Sequence, residues 1–435
     1  MAEILPFRAL RYNPAQVEVA KAVTQPYDKI TPAMQARYYD SCPFNLVRII
    51  LGRSEQGDNE ENNAYSRAAG YLAGWRSKGI LAQDRAPSIY VYSQQFTIPG
   101  TSQQAERRGF IAAGRIYDYA DKVVFRHEQT LAKPKSDRLN LLRASRAHFG
   151  QIFMLYSDPG QQTAALLKSS SPPITSVRDE YGVLHQLWPI ADPAHISRLQ
   201  QQMLDKKLII ADGHHRYETA LNYRNERRAA CECKPDQMRP YDYVMMTFIN
   251  MESPGLLVLP THRVLSGLSS SQKERLLPAL EPCFSRTDLS GSNLDSALQR
   301  LDRAGKTGPA FLLAAKDSFH LLTAKAEKIS AALAQLSPLH LQLDVTVLHK
   351  LVLEKLLALS EESIRDQENI SYYRNAAEAV ARVRDAGPAA DFAFLVNPVR
   401  VSQMRDVAFA GQVMPQKSTD FYPKLLSGLT IYALD

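Results

Sequence analysis

The chain has 435 residues, 45% of them hydrophobic and 22% charged, an ordinary globular composition with room for two or three domains. Its net charge of +7 suits anionic small molecules such as nucleotides, but the basic residues are too dispersed to demand a nucleic acid. No apolar run approaches the ~18 residues of a spanning helix, the N-terminus lacks a signal-like apolar stretch, and four scattered cysteines build no disulfide framework, so a cytoplasmic protein without membrane contact is expected.

In chain order, Pro26, Tyr27 and Asp28 read as a rigid turn, with Asp28 a candidate cap for the segment after it. A strand is expected over 45–51. An amphipathic helix is expected over 62–80, where Ala64, Ala68, Tyr71, Leu72 and Trp75 recur at helical spacing before Gly79. Alternation marks strands at 88–98 and 109–117. The run 133–148 reads as a basic helix bearing Lys133, Lys135, Arg138, Arg143, Arg146 and His148, for which a solvated face is as good a reading as a binding one. Strands come next at 151–156 and 184–190, then a helix leading to Leu208. Two more strands, 243–249 and 256–259, end in the polar cluster Pro260-Thr261-His262-Arg263. Beyond 265 the texture turns to Ser/Leu/Ala-rich helices with a short strand near 311–314, then a helix at 344–358, a strand at 392–396 and a helix at 402–409. Gly305-Lys306-Thr307 imitates the end of a P-loop, but Arg300 stands where the first glycine belongs and a helix precedes it. Cys231-x-Cys233 lacks the second pair a metal site needs.

The stretch 208–221 organises the rest. Four apolar residues, Leu208 to Ala211, read as a buried strand, and Tyr217, Ala220 and Leu221 belong to a helix. Between them Asp212 is a candidate N-cap, and Gly213 lets backbone approach a ligand. His214, His215 and Arg216 add donors at a helix N-terminus, which attracts anions. Adjacent histidines point about 100° apart on a helix and chelate a metal poorly. Near the C-terminus, 414–424 is a donor-rich loop with two lysines, Lys417 between Pro415 and Pro423 and Lys424 just after them.

Taken together, PFRALRY, PYD, HEQT followed by K-x-K-x-DRL, ADGHHRYETA, LPTHR and MPQKST-x-FYPK resemble a bacterial and archaeal family catalogued as domain of unknown function 1015. Gln25 departs from it, standing where the family usually has a second proline before PYD. More distantly, the order His127-Glu128, Asp212 to Arg216, then Pro415 to Thr419 is similar to that of free-serine kinases of the ParB/sulfiredoxin-like superfamily, with Gln416 inserted. That resemblance implies Glu128 as catalytic base, with His127 beside it, and puts Asp212 in the phosphate site; by its own chemistry Asp212 is a candidate catalytic group and Mg²⁺ contact, with helix capping an equally good reading. The resemblance implies a phosphate site of Gly213, His214, His215, Arg216, Lys417, Ser418 and Thr419, with ATP or ADP as co-substrate. Arg263, His262 and Arg138 are candidates for receiving a substrate carboxylate.

The expected function is phosphoryl transfer to a small hydroxyl substrate, free L-serine first. A carboxylate near the hydroxyl and dense positive charge on the phosphoryl group are what that chemistry requires. A ParB-like, DNA-associated or nucleotide-sensing protein is the alternative, although no helix-turn-helix stands out and nucleic acid is disfavoured. Sulfiredoxin-like reduction needs a cysteine in the phosphate turn, which this turn lacks. The expected fold is α+β with mixed sheets: an N-terminal domain at 1–125, a ParB/sulfiredoxin-like core at 126–263, a mainly helical insert at 264–390, and a returning segment at 391–435 that brings Lys417 to Arg216. A homodimer is compatible with the sequence.

Overall fold

Leu208–Asp212 is the strand from which the candidate phosphate turn springs. Side chains alternate across a sheet; Leu208 and Ile210 enter one core cluster, while Ile209 and Ala211 are buried outside it. Burial on both faces explains the unbroken apolar run. The computed structural model describes residues 2–128, 133–231, 234, 236–289, 291–316, 318–384 and 390–434. Gln129, Thr130 and Cys233 lie outside them.

Two units divide the chain. The first comprises Met1–Arg126, Thr130–Leu257 and Pro423–Asp435. Its mixed sheet runs Val124–Phe125, Leu208–Asp212, Ile152–Tyr156, Tyr243–Asn250, Gln104–Arg115, Ile89–Thr97, Leu184–Ile190 and Thr175–Arg178, with Ile4–Leu5 also paired to Gln104–Arg115. Segments 1–125 and 126–263, expected as separate domains, therefore share one sheet. The join is Gln104–Arg115 against Tyr243–Asn250, where Phe110 faces Phe248 and the two rings stack at 4.9 Å. Pairing at that sequence distance leaves no local signal. Segment 45–51 is a helical turn, Val47–Ile50, rather than a strand. The buried Asn45 side chain accepts from the Val47 N–H at 2.9 Å and donates to Lys21 O, so a polar side chain starts the turn. Thr31, not Asp28, caps the next helix, Pro32–Ser41.

The second unit comprises His127–Gln129 and Val258–Tyr422. Its antiparallel sheet runs Phe284–Asp288, Phe319–Ala324, Ala310–Ala314, Phe392–Val396, His262–Leu265 and Ile370–Tyr373. Segment 264–390, expected to be mainly helical, holds helices such as Ser270–Leu280 and Leu294–Gly305 and also supplies strands of this sheet, whose alternate residues enter two cores: Phe311 and Phe394 in one, Leu312 and Leu395 in the other. The expected helix at 344–358 begins as Asp344–Val347 and widens over Leu348–Leu356, where Leu357 N donates to Val352 O at 2.9 Å, five residues back. No helix of the described residues is long and apolar enough to cross a membrane.

Asp344 gives the second unit a pH lever. Burial raises its carboxyl to about 6, against hydrogen bonds from Asn397 and the Ala310 N–H that favour the anion. The folded chain therefore holds this proton more tightly than the unfolded chain. The stabilisation is complete below about pH 4 and is lost as pH rises through 6, a change of about 3 kcal/mol at most. Urea unfolding of the wild type between pH 4 and 8 is expected to show this loss, and Asp344→Asn to flatten it; equal slopes in the two proteins would refute the assignment.

Candidate functional site

In the first unit the strand Leu208–Asp212 passes through Gly213 into the helix His214–Ala229. Gly213 is the N-cap residue, with φ +93° in the left-handed region that disfavours a Cβ. The Arg216 side chain folds back over it: a Cβ at Gly213 would lie 3.0 Å from the guanidinium. Asp212, expected to cap the helix, ends the strand instead, and the helix has no side-chain cap. One Asp212 oxygen accepts from the Gly213 N–H at 3.0 Å. The other lies 3.7 Å from both Arg216 Nη2 and Lys424 Nζ. Burial pushes the Asp212 carboxyl up, but Lys424, Arg216, Lys29 and His214 outweigh it and hold the group well below the usual carboxylate range. A carboxyl held so low is a weak proton acceptor; Asp212 suits charge positioning.

Lys424 has no assigned role in the expectations from sequence. Its carbonyl accepts from Gln94 Nε2 at 2.8 Å, and the preceding Pro423 carbonyl accepts from Arg107. Arg107 is fully buried, which brings its guanidinium down to about 10, and its Nε donates to Gln94 Oε1 at 3.0 Å. A buried pair in the sheet thus fixes the backbone that delivers Lys424 to Asp212. The only sequence signal for it is the lysine that closes MPQKST-x-FYPK.

A separate cluster lies in the second unit. Met414 N donates to His127 O at 2.8 Å, forming a parallel bridge that ties the His127-Glu128 segment to the C-terminal loop. Glu128 Oε1 accepts from both the Thr419 N–H (2.9 Å) and its hydroxyl (3.1 Å). His127, fully buried, lies with Nε2 2.8 Å from the same hydroxyl. Since that hydroxyl donates to Glu128, it accepts from the imidazole, which assigns the proton to Nε2. Glu128 Oε2 has no hydrogen-bond partner among the described residues. Ser418 is buried and donates to Pro415 O at 2.6 Å, so its hydroxyl shapes the loop. Lys417 is exposed at φ 57°. Lys417 to Thr419 belong to the second unit and Asp212 to Arg216 to the first.

Arg263 and His262, expected to receive a substrate carboxylate, are buried in the strand His262–Leu265. Arg263 donates to Thr261 O, to Lys417 O at 3.0 Å and to His349 Nε2 at 3.2 Å. Burial lowers its guanidinium to about 10 and the His262 imidazole to about 4. Arg263 holds the loop at Lys417, and His262 Nδ1 accepts from the Val396 N–H at 3.3 Å, so neither faces solvent. Arg263→Met is expected to cost about 2–4 kcal/mol, because the Thr261 and Lys417 carbonyls lose a charged donor; an unchanged urea midpoint would overturn this. Arg138 belongs to the first unit, where its Nε donates to Asp137 and its guanidinium lies 4.2 Å from the centre of the Tyr27 ring. Arg143 forms an exposed pair with Glu226. Among the described residues no group of three His, Cys, Asp or Glu side chains is arranged to hold a metal.

No curated protein matches the chain. Among solved structures it is similar to a conserved hypothetical protein from Pyrococcus furiosus (14% identity, TM-score 0.34, covering 70% of this chain and 89% of that one). It is also similar to a free serine kinase in complex with AMP (14%, 0.34, 71% and 89%) and to SbnI with a C-terminal truncation from Staphylococcus aureus (11%, 0.36, 73% and 87%). The family model described as "Protein of unknown function (DUF1015)" matches residues 4–346, well over half of the chain, and the chain belongs to that family.

Proposed function

We propose that this protein is a phosphotransferase that moves a phosphoryl group from ATP or ADP to the hydroxyl of a small molecule, with free L-serine as the first acceptor and O-phospho-L-serine as the product. The observation that carries the reading is the turn at Asp212, where one carboxylate is surrounded by Lys424, Arg216, Lys29 and His214. That gathering of basic side chains round one carboxylate suits an anion as dense as a polyphosphate.

In this reading Gly213, His214, His215, Arg216 and Lys424 bind the phosphates. The motif resemblance carries the role of base over to Glu128: the substrate hydroxyl oxygen forms a bond to the terminal phosphorus as its proton passes to a carboxylate. The bond from that phosphorus to the bridging oxygen breaks, and the nucleotide leaves one phosphate shorter. His127 and Thr419 orient Glu128 through the hydrogen bonds at Oε1, and Lys417 contributes positive charge. Mg²⁺ would be held mainly by the nucleotide's phosphate oxygens, with Asp212 its candidate protein contact once those phosphates engage Arg216 and Lys424. Bound there, the ion would neutralise charge on the transferring group.

The test is ³¹P NMR of the full chain with Mg²⁺, ATP or ADP, and L-serine. A phosphoserine resonance growing as the nucleotide shortens is the expected result. Nucleotide binding without turnover on serine or related hydroxy acids would overturn the kinase reading in favour of a sensor.

A further inference from the structure

A cavity of about 70 Å³ opens in the first unit, lined by Tyr27, Arg138, His148, Arg216 and Thr219 among apolar walls that include Leu142 and Phe149. At the ~10–15 Å³ that one water needs on this measure, it has room for several waters or one small flat ring system. Arg216 is common to this cavity and to the Asp212 turn. A Cβ at Gly150 would lie 3.2 Å from Arg216 Nη1, so glycine there leaves room for the guanidinium at the cavity wall.

The lining carries little net charge. Arg138 is bonded to Asp137 and to Ile50 O, while Arg216 donates to Gln151 O and approaches Asp212. Burial lowers the His148 imidazole to about 4, so it is neutral, and its ring stacks on Tyr432 at 6.0 Å. Arg138 is thus already paired, and Arg216 serves the phosphate turn, so this lining does not itself call for a second anion. A flat neutral ligand instead finds aromatic and guanidinium surfaces to stack on, with apolar side chains around them.

Thr219 supplies the second observation. It is 4% exposed, and its Oγ1 is buried without a hydrogen-bond partner among the described residues. A buried hydroxyl left unpaired costs free energy that a ligand can recover. We infer that this cavity takes the heteroaromatic base of a nucleotide, with Thr219 Oγ1 hydrogen-bonded to the base edge and Tyr27 and Arg138 against its face. The inference rests on the nucleotide reading above and assigns the nucleoside end of that ligand. Arg216 lies where base site and phosphate turn adjoin.

Isothermal titration of the full chain with ADP and, separately, with inorganic pyrophosphate tests it in the wild type, Thr219→Val and Thr219→Ser. Valine keeps the volume and removes the hydroxyl; serine restores the hydroxyl. The ADP dissociation constant is expected to rise about tenfold in Thr219→Val and to recover in Thr219→Ser, the loss of one buried hydrogen bond. Pyrophosphate should bind all three proteins alike. Unchanged ADP affinity in Thr219→Val, or wild-type ADP binding no tighter than pyrophosphate, overturns the base site and leaves the phosphate turn standing. Failure of the wild type to bind either ligand overturns both.

Discussion

Glu128→Gln is expected to lower turnover by about 10²–10⁴-fold, the usual contribution of a positioned general base, while leaving the affinity for ADP within about twofold. Glutamine is nearly isosteric, and its amide oxygen can still accept from the Thr419 N–H and hydroxyl, as Glu128 Oε1 does at 2.9 and 3.1 Å. The loop therefore keeps its anchor while the proton acceptor disappears. The single-turnover rate of phosphoserine formation, read beside an ADP titration, checks both halves. A variant that turns over like the wild type removes Glu128 from the chemistry. One that loses ADP binding as well points to a structural role.

The second large effect is expected on binding. Arg216→Met and Lys424→Met should each weaken ADP and pyrophosphate about 10–100-fold, the range for losing one charged hydrogen bond to a phosphate. Both cations lie 3.7 Å from the same Asp212 oxygen, so their effects should be non-additive in the double variant. Asp212 stays ionised throughout the neutral range because these groups depress its pKa, and binding should not titrate with it between pH 5 and 8. Affinity unchanged in both single variants would remove the turn from phosphate binding.

The local elements of the turn are legible in the chain. Leu208 to Ala211 form an apolar run because both faces of that strand are buried, and Tyr217 and Ala220 recur on the buried side of the adjoining helix. Gly213 stands out as the special residue, but its reason differs from the expected one: left-handed backbone and a returning Arg216 side chain require it. The N-cap expectation for Asp212 fails because a good capping residue one position early ends the strand instead. At 45–51 apolar residues suggest a strand, where Asn45 bonding to the Val47 N–H starts a helical turn.

Signals readable along the chain are local and chemical: a strand, glycine turn and basic helix start at 208–216, a Glu beside a His, and a lysine-bearing loop near the C-terminus. Hydrophobic period and turn chemistry act within a few residues, so one chain carries their signal. Three-dimensional packing alone established that 1–125 and 126–263 share a sheet, that Arg263 is interior, and that Lys424 faces Asp212. Strand partners and buried ion positions depend on residues far apart in the chain; Arg107 reaches the Pro423 carbonyl across 316 positions. Such contacts form only once burial makes an unmet hydrogen bond costly, and no local pattern encodes which distant group will meet it.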